Sequence, residues 1–370
     1  MIKVLQFIHG LNTGGAETLV KNYALGLDKS RFDVTVLCLN HVPDSPYEKV
    51  LRENGIKLFF VSDSMPHFGR RELWYRFWNH YAIYFKVRKY IQKIKPDVIH
   101  VHLILNKYVR FAHPTNKTKI VYTQHFDVKW LKLENQSEIN CILWEMENYP
   151  VHLIALNRKM KSQMDEMFHT QNTVIINNGI DFKQYEKPFD RKKKRYELGI
   201  PENALAIVHV GRFDPLKNHP FLVRVFAEIK KRRKDAFLVM VGVGSEEFDI
   251  VQQLKKEGLN NDYLILHNRL DVPEILRTCD AALFPSISEG LGMAVVEMQA
   301  AGLPVLASKG VPPDAKISNL LNFMSIEESP GKWATKLLKM IDLHEPVKYY
   351  NKSNWDIREA IKQLENIYSN

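Results

Sequence analysis

Short apolar runs alternate with amphipathic stretches along most of this 370-residue chain. In the first half the runs typical of strands are Lys3–His9, Asp33–Leu39, Lys57–Val61, Val98–His102, Ile120–Thr123, His152–Leu156 and Thr173–Ile176. The pattern resumes in the second half at Leu205–His209, Ala236–Val241, Tyr263–His267, Ala281–Phe284 and Pro304–Ala307. Strands that alternate with helices form parallel sheets covered on both faces and joined by right-handed crossovers. Because the chain is too long for one core, the sequence predicts two doubly wound α/β domains.

The boundary between the two domains is predicted at Asn177–Asp181, which is rich in turn-forming residues. The Lys/Arg-dense stretch Lys183–Arg195 that follows is expected to be exposed. The last amphipathic stretch, Asn354–Tyr368, is predicted to be a helix because its isoleucines and leucine recur on one stripe. The predicted parts of the chain are therefore residues 1–180, residues 181–350 and a terminal helical segment at 351–370.

Composition excludes several classes of protein. Hydrophobic residues make up 45% of the chain, which is typical of a globular protein, and no apolar run reaches the length of a membrane span. The N-terminal run Met1–Gly10 is followed by no small-residue cleavage site, so we interpret it as a buried strand rather than a signal peptide. Cys38, Cys141 and Cys279 lie far apart and are odd in number, which fits a reducing cytoplasm and gives no metal-ligand spacing.

The formal net charge of +10 is unevenly distributed. Residues 65–95 contain eight Lys or Arg residues and one acid, Glu72. Basic charge favours an anionic partner, which could be a nucleic acid, a lipid surface or a phosphorylated ligand. A solvated helix face is the simpler interpretation, and charge alone leaves these alternatives open.

In open parallel sheets, ligands bind beyond the carboxyl ends of the strands, so the loops after the strands are candidate binding sites. The first such loop, Gly10–Thr18, contains Gly14 and Gly15, which allow the backbone to approach a ligand and open the next helix. Its glycine spacing differs from the dinucleotide-binding fingerprint. A ligand loop and a simple tight turn both fit this segment.

The loop Gly211–His219 follows the first strand of the second half. It presents Arg212 and Lys217 shortly before a helix predicted to start at Pro220. A fork-shaped guanidinium and a point-charge ammonium at a helix start are suited to bind a pyrophosphate. An ordinary exposed loop with two cations is the alternative interpretation.

Two carboxylates, Glu289 and Glu297, flank a Gly-x-Gly turn at the end of another apolar run. A helix predicted to begin near Leu291 would offer its N–H groups to a phosphate, while both carboxylates accept hydrogen bonds from hydroxyl groups. Glu297 would lie about 9 Å along the helix axis, with its side chain leaning towards the N-terminus. The pattern predicts a site for a phosphorylated, hydroxyl-rich ligand, and a solvent-facing Glu297 is the alternative.

Several motifs together resemble those of the retaining GT-B glycosyltransferases of family 4. The segment from Glu289 to Glu297 resembles the E-x7-E motif of that family, and Gly211–Asn218 resembles its phosphate-binding loop. Three further segments resemble family motifs, namely Gly14–Glu17, Asp97–His102 and Asn178–Asp181. The matches occur in the order found in the family, which makes them more specific together than any one alone.

The resemblance implies two Rossmann-like domains that face a cleft, with the acceptor on the N-terminal side and a nucleotide-sugar donor on the C-terminal side. It implies that Arg212 and Lys217 bind the donor pyrophosphate. It also implies that Glu297 binds the ribose and Glu289 the sugar. The backbone groups expected to line the donor belong to Gly14, Gly15, Gly290, Leu291, Gly292, Met293 and Ala294. His125 matches the family histidine near the transferred sugar, with a structural strand-end histidine as the alternative, and the terminal helix would cross back onto the first domain.

The activity that the resemblance implies is transfer of a sugar from a nucleotide-sugar, here a UDP-sugar, to a glycan or a polyprenyl-diphosphate-linked oligosaccharide. The softer resemblance to the bacterial branch that makes exopolysaccharide, capsule and lipopolysaccharide implies surface polysaccharide synthesis. Ser308–Asp314 departs from the glycine-rich donor loop of many members, which leaves the identity of the donor open. One alternative is a nucleotide-sugar epimerase, which the E-x7-E pattern together with Arg212 and Lys217 disfavours. The other is a nucleic-acid-binding protein, for which the sequence shows no RNA or DNA motif.

Cleavage of a nucleotide-sugar leaves negative charge on a diphosphate, so the catalytic demand is electrostatic. Arg212, Lys217 and the helix start at Gly292 are predicted to stabilise this charge. In the usual account of the family's retaining chemistry no protein nucleophile is needed. Because the sequence has no D-x-D motif and no cluster of metal ligands, we predict that no metal or other cofactor is required.

The basic segment carries two apolar stripes when it is treated as a helix. One consists of Ile83, Val87, Ile91 and Ile94, and the second, roughly opposite, consists of Trp74, Trp78, Tyr81 and Phe85. A helix that covers a domain buries only one stripe. The second stripe, near Arg70, Arg71, Arg88 and Lys89, could lie on an anionic membrane, or it could be buried by a neighbouring helix or a dimer. We predict a cytoplasmic protein, and these alternatives leave open whether residues 70–95 bind the inner face of the cell membrane.

Overall fold

A computed structural model describes residues 1–12, 14–65, 73–126, 128–343 and 345–370. The chain divides into two compact units, Met1–Gly179 with Ile357–Asn370, and Ile180–Asp356. The sequence predicts divisions at 180 and 350, and the structure has them after Gly179 and after Asp356. Each unit contains one parallel β-sheet flanked by helices, which confirms the predicted doubly wound α/β class.

The elements alternate as strand and helix along most of the chain. The strands are β1 (Ile2–Ile8), β2 (Phe32–Cys38), β3 (Lys57–Phe60), β4 (Val98–His102), β5 (Lys119–Thr123), β6 (Val151–Ala155), β7 (Val174–Ile175), β8 (Leu205–Val210), β9 (Ala236–Val241), β10 (Tyr263–Leu266), β11 (Ala281–Phe284), β12 (Val305–Ser308) and β13 (Leu321–Met324). The helices are α1 (Gly15–Gly26), α2 (Pro46–Glu53), α3 (Leu73–Ile94), α4 (Asn106–Ala112), α5 (Val128–Glu134), α6 (Gln136–Asn148), α7 (Arg158–Met167), α8 (Lys183–Glu186), α9 (Arg191–Leu198), α10 (His219–Arg232), α11 (Glu247–Lys256), α12 (Val272–Thr278), α13 (Met293–Ala300), α14 (Pro330–Leu343) and α15 (Ile357–Ser369). Among the residues described, no helix is both long and apolar enough to span a bilayer.

The sheet of the first unit has the strand order β3-β2-β1-β4-β5-β6-β7. Its central strands are buried on both faces, and apolar side chains such as Leu5, Phe7 and Ile99 are fully inaccessible to solvent. Such continuous apolar runs are typical of parallel strands covered by helices on both sides. The strand order reverses between β1 and β4, so the loops after these strands lie at the switch point where such sheets bind ligands.

The last helix, α15, belongs to the first unit and packs on α1 and β1. Gly26 of α1 makes this close approach possible, because a Cβ at that position would lie 2.2 Å from Cδ1 of Ile361. At the other end of α15, the ammonium of Lys119 donates to the carbonyl oxygen of Ile367 at 2.6 Å. This contact satisfies one of the carbonyls that a helix leaves unpaired at its C-terminus.

The sheet of the second unit has the strand order β10-β9-β8-β11-β12-β13, which reverses between β8 and β11. Helices α10 and α14 pack together, and the rings of Phe221 and Trp333 meet edge to face with their centroids 5.4 Å apart. The edge strand β13 is absent from the strands predicted above. Three of its four residues are only half-buried, because an edge strand is covered less than a central one. It therefore does not need the continuous apolar run by which the central strands are recognised in the sequence.

The basic stretch Lys183–Arg195 is mostly exposed, as expected, and Arg195 is the buried exception. The stretch contains α8 and the first residues of α9, and the side chain of Arg195 is only 3% exposed. The guanidinium of Arg195 donates to the carbonyl oxygens of Thr278 (2.8 Å) and Glu202 (2.7 Å) and pairs with the Asp280 carboxylate at 2.8 Å. Burial of this charge is tolerated because acceptors surround it. The prediction is therefore wrong at Arg195.

Candidate functional site

Four loops meet at the carboxyl edge of the sheet in the second unit. They follow β8, β9, β11 and β12. Backbone hydrogen bonds join them in sequence, from Phe213 N to Val243 O (2.9 Å), from Ile287 N to Leu216 O (2.7 Å) and from Glu289 N to Gly310 O (3.0 Å). Because the strand order reverses between β8 and β11, the four loops together occupy the switch point of this sheet.

Two glycines allow these loops to approach one another. A Cβ on Gly244 would lie 2.2 Å from the carbonyl oxygen of Phe213, and a Cβ on Gly310 would lie 2.2 Å from the carbonyl oxygen of Ile287. No real side chain tolerates contacts that short, so both positions require glycine. The result is a backbone platform in which each loop is fixed by its neighbour.

The platform brings together the side chains of Lys217 and Glu289. The Lys217 ammonium lies 2.5 Å from Oε1 of Glu289, although 72 positions separate the two residues in the chain. The two side chains are only 17% and 11% exposed, and the ammonium also lies 5.5 Å from the ring centroid of Phe284. Charges that are largely shielded from solvent are screened less than charges on the surface. An anion that enters here meets a cation that is already held in position.

Arg212 lies on the same loop as Lys217 but in a different environment. Its side chain is 76% exposed, and its Nη2 lies 3.3 Å from Oδ2 of Asp214. Asp214 also fixes the turn, because its Oδ1 accepts a hydrogen bond from the backbone N of Leu216 at 3.1 Å. The structure therefore holds Lys217 firmly and leaves Arg212 room to reorient.

Helix α13 begins at Met293 and not at Leu291, where the sequence predicts its start. Gly292 immediately before it has a φ of +76°, which is in the left-handed region that glycine adopts without strain. No side chain among the described residues caps this end through a hydrogen bond. The first-turn N–H groups, including those of Met293 and Ala294, therefore remain suited to an anionic ligand.

Glu297 is a partly exposed residue of a helix that is otherwise mostly buried. Because the helix starts at Met293, Glu297 lies about 6 Å along its axis, nearer the N-terminus than the predicted distance. Burial, followed by the negative charge of Glu297, raises the pKa of Tyr185, so the carboxylate and the phenol lie near each other. A carboxylate, a group that accepts hydrogen bonds from hydroxyl groups, thus lies close to the start of α13.

Gln299 is a residue of this region that the motifs do not identify. Its side chain is fully buried, its Nε2 donates to Ala315 O at 2.7 Å, and its Oε1 accepts from the backbone N of Ile317 (3.1 Å) and of Ser318 (3.0 Å). These bonds hold α13 against the chain that follows β12. An amide in the middle of a predicted apolar helix is the one sequence signal that could have identified it.

The first unit carries the remaining predicted residues at the carboxyl edge of its own sheet. Gly14 precedes α1, and a Cβ there would lie 2.3 Å from Oε2 of Glu17. A Cβ on Gly15 would have no described heavy atom within 4 Å. Thr18 Oγ1 donates to Gly14 O at 2.7 Å, which fixes the turn. The end of the Glu17 side chain can move away from such a Cβ, so packing does not by itself require glycine at position 14. At Gly15 the backbone is open to a ligand.

His125 follows β5 and is partly buried. Its Nε2 lies 2.9 Å from Nδ1 of His102, the last residue of β4. Burial lowers the pKa of His125 to about 4, so the imidazole is neutral at pH 7. A neutral imidazole offers one donor and one acceptor, and its contact with His102 uses one of them.

The predicted site residues thus fall into two sets, one in each unit. The loops and α13 of the second unit carry Arg212, Lys217, Glu289, Gly290–Ala294 and Glu297, whereas the first unit carries Gly14, Gly15 and His125. Within the described ranges, no group of three or more His, Cys, Asp or Glu side chains is placed to hold a metal ion. Two cations, an uncapped helix start and two carboxylates can together bind a ligand that carries both phosphates and hydroxyl groups.

Two family models match this chain. The model described as glycosyl transferases group 1 matches residues 190–354, and the model described as Glycosyltransferase Family 4 matches residues 13–184. Each match covers most of one compact unit.

Two relatives are similar over most of this chain. EpsF of Bacillus subtilis (strain 168), which is named "Putative glycosyltransferase EpsF", is 26% identical over 99% of this chain and 96% of its own length. The UDP-Gal:α-D-GlcNAc-diphosphoundecaprenol α-1,3-galactosyltransferase of Escherichia coli is 24% identical over 76% of this chain and 73% of its own length.

Solved structures share the fold. Anabaena Alr3699/HepE, in complex with UDP and glucose, superposes with a TM-score of 0.77 at 19% identity over all of both chains. WaaG, a glycosyltransferase involved in lipopolysaccharide biosynthesis, superposes with a TM-score of 0.72 at 17% identity over 99% of both chains.

Proposed function

This chain belongs to family 4 of the glycosyltransferases and has the GT-B fold, and from that premise we propose that it transfers a sugar from a UDP-sugar to a lipid-linked glycan with retention of configuration. The observation that carries this proposal is the Lys217–Glu289 ion pair, held on backbone-locked loops beside the open start of α13. This arrangement fits a ligand that has a diphosphate next to a sugar.

The diphosphate is the part of the donor that the second unit is best equipped to bind. A diphosphate at the start of α13 would take Lys217 as its counter-ion and would release Glu289 to accept from hydroxyl groups of the sugar. Arg212, with room to reorient, would close on the outer phosphate oxygens. Glu297, further along α13, would accept from the ribose hydroxyls.

The chemical step requires little more than this electrostatic arrangement. The bond from the anomeric carbon to the diphosphate oxygen breaks, and a bond to the acceptor oxygen forms on the same face of the sugar. The departing diphosphate oxygen takes the acceptor proton, so no protein nucleophile is needed. Lys217, Arg212 and the N–H groups of α13 stabilise the departing charge, and we propose that they do so without a metal ion.

The names of similar proteins support the nature of the donor and the acceptor. The Escherichia coli relative is named for a UDP-linked galactose and an undecaprenol-diphosphate acceptor, and the solved HepE complex contains UDP. WaaG is described as acting in lipopolysaccharide biosynthesis. We therefore propose that this chain acts in surface polysaccharide synthesis, with a polyprenyl-diphosphate-linked glycan as acceptor and the inner face of the cell membrane as its location.

The exposed face of α3 supports an interaction with a membrane. Trp78 and Phe85 are 66% and 61% exposed, Tyr81 between them is also exposed, and Val87 and Ile91 on another face are buried. Arg88 and Lys89 are exposed near this aromatic face. Aromatic rings beside basic side chains are suited to the headgroup region of an anionic bilayer. Arg70 and Arg71 lie outside the described residues, and the side chain of Trp74 is not described either.

Replacement of both Trp78 and Phe85 by serine is expected to weaken binding to anionic liposomes by at least about tenfold, because each ring contributes apolar area. Flotation with vesicles that contain anionic lipid measures this loss. Phe248→Ser is the matched control, since Phe248 is an equally exposed aromatic residue of the second unit. Unchanged flotation of the double variant, or an equal loss in the control, would exclude a membrane contact through α3.

The proposed reaction is tested with a panel of nucleotide-sugars and a polyprenyl-diphosphate-linked glycan. We expect transfer from one UDP-sugar, a product with the same anomeric configuration as the donor, and a rate that is unchanged by a metal chelator. The productive donor should also raise the melting temperature, because a ligand at a hundred times its Kd adds about 2.7 kcal/mol to the free energy of unfolding. Conversion of the donor to an epimer without transfer would contradict the proposal. An inverted product, or a rate restored only by manganese, would contradict the retaining or the metal-free part.

A further inference from the structure

A chain of buried polar side chains crosses the sheet of the first unit. It begins at Tyr368 of α15, continues through Gln6 in the middle of β1 and His102 at the end of β4, and reaches His125. The successive distances are 3.0 Å from Gln6 Nε2 to Tyr368 Oη, 2.7 Å from Gln6 Oε1 to His102 Nε2, and 2.9 Å from His102 Nδ1 to His125 Nε2. Gln6 and His102 are completely buried.

Such a series of hydrogen-bonded polar side chains is unusual inside a parallel sheet. Most residues of β1 are apolar, and Gln6 is its one uncharged polar residue. Polar groups buried in such a place cost free energy unless each has a hydrogen-bond partner. The chain supplies these partners, and it links side chains that are 362 positions apart in the sequence. Valine or leucine would pack at these positions without needing hydrogen-bond partners. Packing alone therefore does not explain Gln6 and His102, and we look for a functional role.

The order of donors and acceptors follows from the amide of Gln6. Its Nε2–H donates to the Tyr368 hydroxyl, so its Oε1 is left to accept from Nε2–H of His102. His102 then has a lone pair on Nδ1, which can only accept, and His125 must donate to it through Nε2–H. This arrangement leaves the Nδ1 of His125 as an unprotonated acceptor.

Charge does not disturb this order at neutral pH. Burial holds the pKa of His102 well below its usual range and lowers that of His125 to about 4. His100, the nearest other imidazole, has a pKa that burial also holds well below the usual range, and burial raises that of Tyr368. Each ring therefore carries a single N–H proton, and each contact has one donor and one acceptor.

A branch of the same network does not include His125. The Tyr368 hydroxyl, which accepts from Gln6, donates to Nδ1 of His100 at 2.6 Å. The Nε2–H of His100 then donates to Oγ1 of Thr123 at 2.7 Å. This branch is as buried as the series of hydrogen bonds that leads to His125, and it provides an internal control for that series.

We propose that Gln6 and His102 are positioning residues that set the tautomer of His125, so that its Nδ1 faces the substrate as a hydrogen-bond acceptor, with Tyr368 of the last helix anchoring the chain. The inference rests on the proposed function and on the family resemblance, which implies that His125 lies near the transferred sugar. The group that this Nδ1 recognises is a sugar hydroxyl, which donates to it. A His125 in the other tautomer would present an N–H there and would accept no such bond.

The tautomer is measured first on the substrate-free protein. Nitrogen-15 NMR of histidine-labelled protein at pH 7 is expected to show His125 with a protonated Nε2 and an unprotonated Nδ1, the signals being assigned by their loss in His125→Gln. A protonated Nδ1 in the wild type would mean that the Gln6 amide is reversed, and this result would overturn the inference. Because no substrate is present, this measurement stands even if the proposed reaction is wrong.

The consequence for turnover is measured with three variants. His102→Leu removes the acceptor for His125 and is expected to lower kcat by about 10- to 100-fold, the usual effect of leaving a buried donor unpaired, with little change in the donor KM. His102→Asn, whose carbonyl oxygen takes the place of Nδ1, should recover most of that loss. Thr123→Val removes an equally buried bond of the branch and should leave kcat and the His125 tautomer unchanged.

These experiments distinguish failure of the positioning role from failure of the proposed function. Equal losses of kcat in His102→Leu, His102→Asn and Thr123→Val would show that only burial matters, which overturns the positioning role. If His102→Leu fails to fold, the wild-type spectrum and Gln6→Met decide, since Gln6→Met should make both tautomers of His125 visible. Absence of transfer by the wild-type protein from every donor would refute the proposed function, while the spectrum would still decide the tautomer.

Discussion

Replacement of Lys217 by methionine is expected to lower kcat/KM for the nucleotide-sugar by about 10²–10³-fold, the usual effect of removing one preorganised group that stabilises developing charge. Lys217 is suited to this role because its ammonium is held at the platform by Glu289 and is mostly shielded from water. Methionine keeps the length and the packing of the stem against Phe284. The loss should therefore be electrostatic and should appear in steady-state kinetics with the productive donor.

The control for this variant is Lys231→Met. Lys231 lies in the last turn of α10, is 69% exposed and pairs only with a nearby glutamate of its own helix in the described structure, so its loss should leave the kinetics unchanged. The melting temperature of both variants must be measured as well, because Lys217→Met leaves the Glu289 carboxylate without its cation. Near-normal kcat/KM in Lys217→Met, with the fold intact, would contradict the assignment of the donor site.

Replacement of Arg195 by leucine is expected to lower the free energy of unfolding by about 3 kcal/mol, since it leaves Asp280 and several carbonyl oxygens without their buried donor. The effect should be a lower urea midpoint of the second unit with an unchanged slope. Arg195 lies outside the proposed site, so donor KM at a temperature well below the transition should stay close to that of the wild type.

Arg191→Leu is the matched control for Arg195→Leu. Arg191 lies on the same helix and contacts the same Asp280 carboxylate, but its side chain is 44% exposed. Exposed ion pairs contribute less than about 1 kcal/mol, so its loss should be small. If the two substitutions lowered stability equally, the buried position of Arg195 would not be the source of its effect.

The loops that form the candidate site were largely predictable from the sequence. Parallel strands place their carboxyl ends at one edge of a sheet, so a residue that directly follows a strand lies at that edge whatever the details of packing. This geometry explains why Lys217, Glu289 and His125 lie where the pattern of strands and loops places them. The start of α13 was predicted two residues early, because a Gly-x-Gly turn does not reveal which glycine adopts the left-handed conformation, and the structure assigns it to Gly292.

The long-range partners could not be predicted, because they depend on tertiary packing. The sequence gives Glu289 and Lys217 separate roles, whereas the structure pairs them in the absence of a ligand. A run of Lys and Arg is typical of solvent, and only the fold shows that Arg195 meets carbonyl oxygens from other segments. Gln6 is a single polar residue in an apolar strand, and its partners come from other strands and from the last helix.

A crystal structure with bound UDP tests the central claim most directly. We predict that the diphosphate lies at the start of α13, with an oxygen about 2.7–3.2 Å from the ammonium of Lys217, and that the ribose hydroxyls donate to Glu297. Glu289 should be released from Lys217 and should point towards the position of the sugar. UDP bound at another surface, or bound here with Lys217 turned away from the diphosphate, would contradict the account.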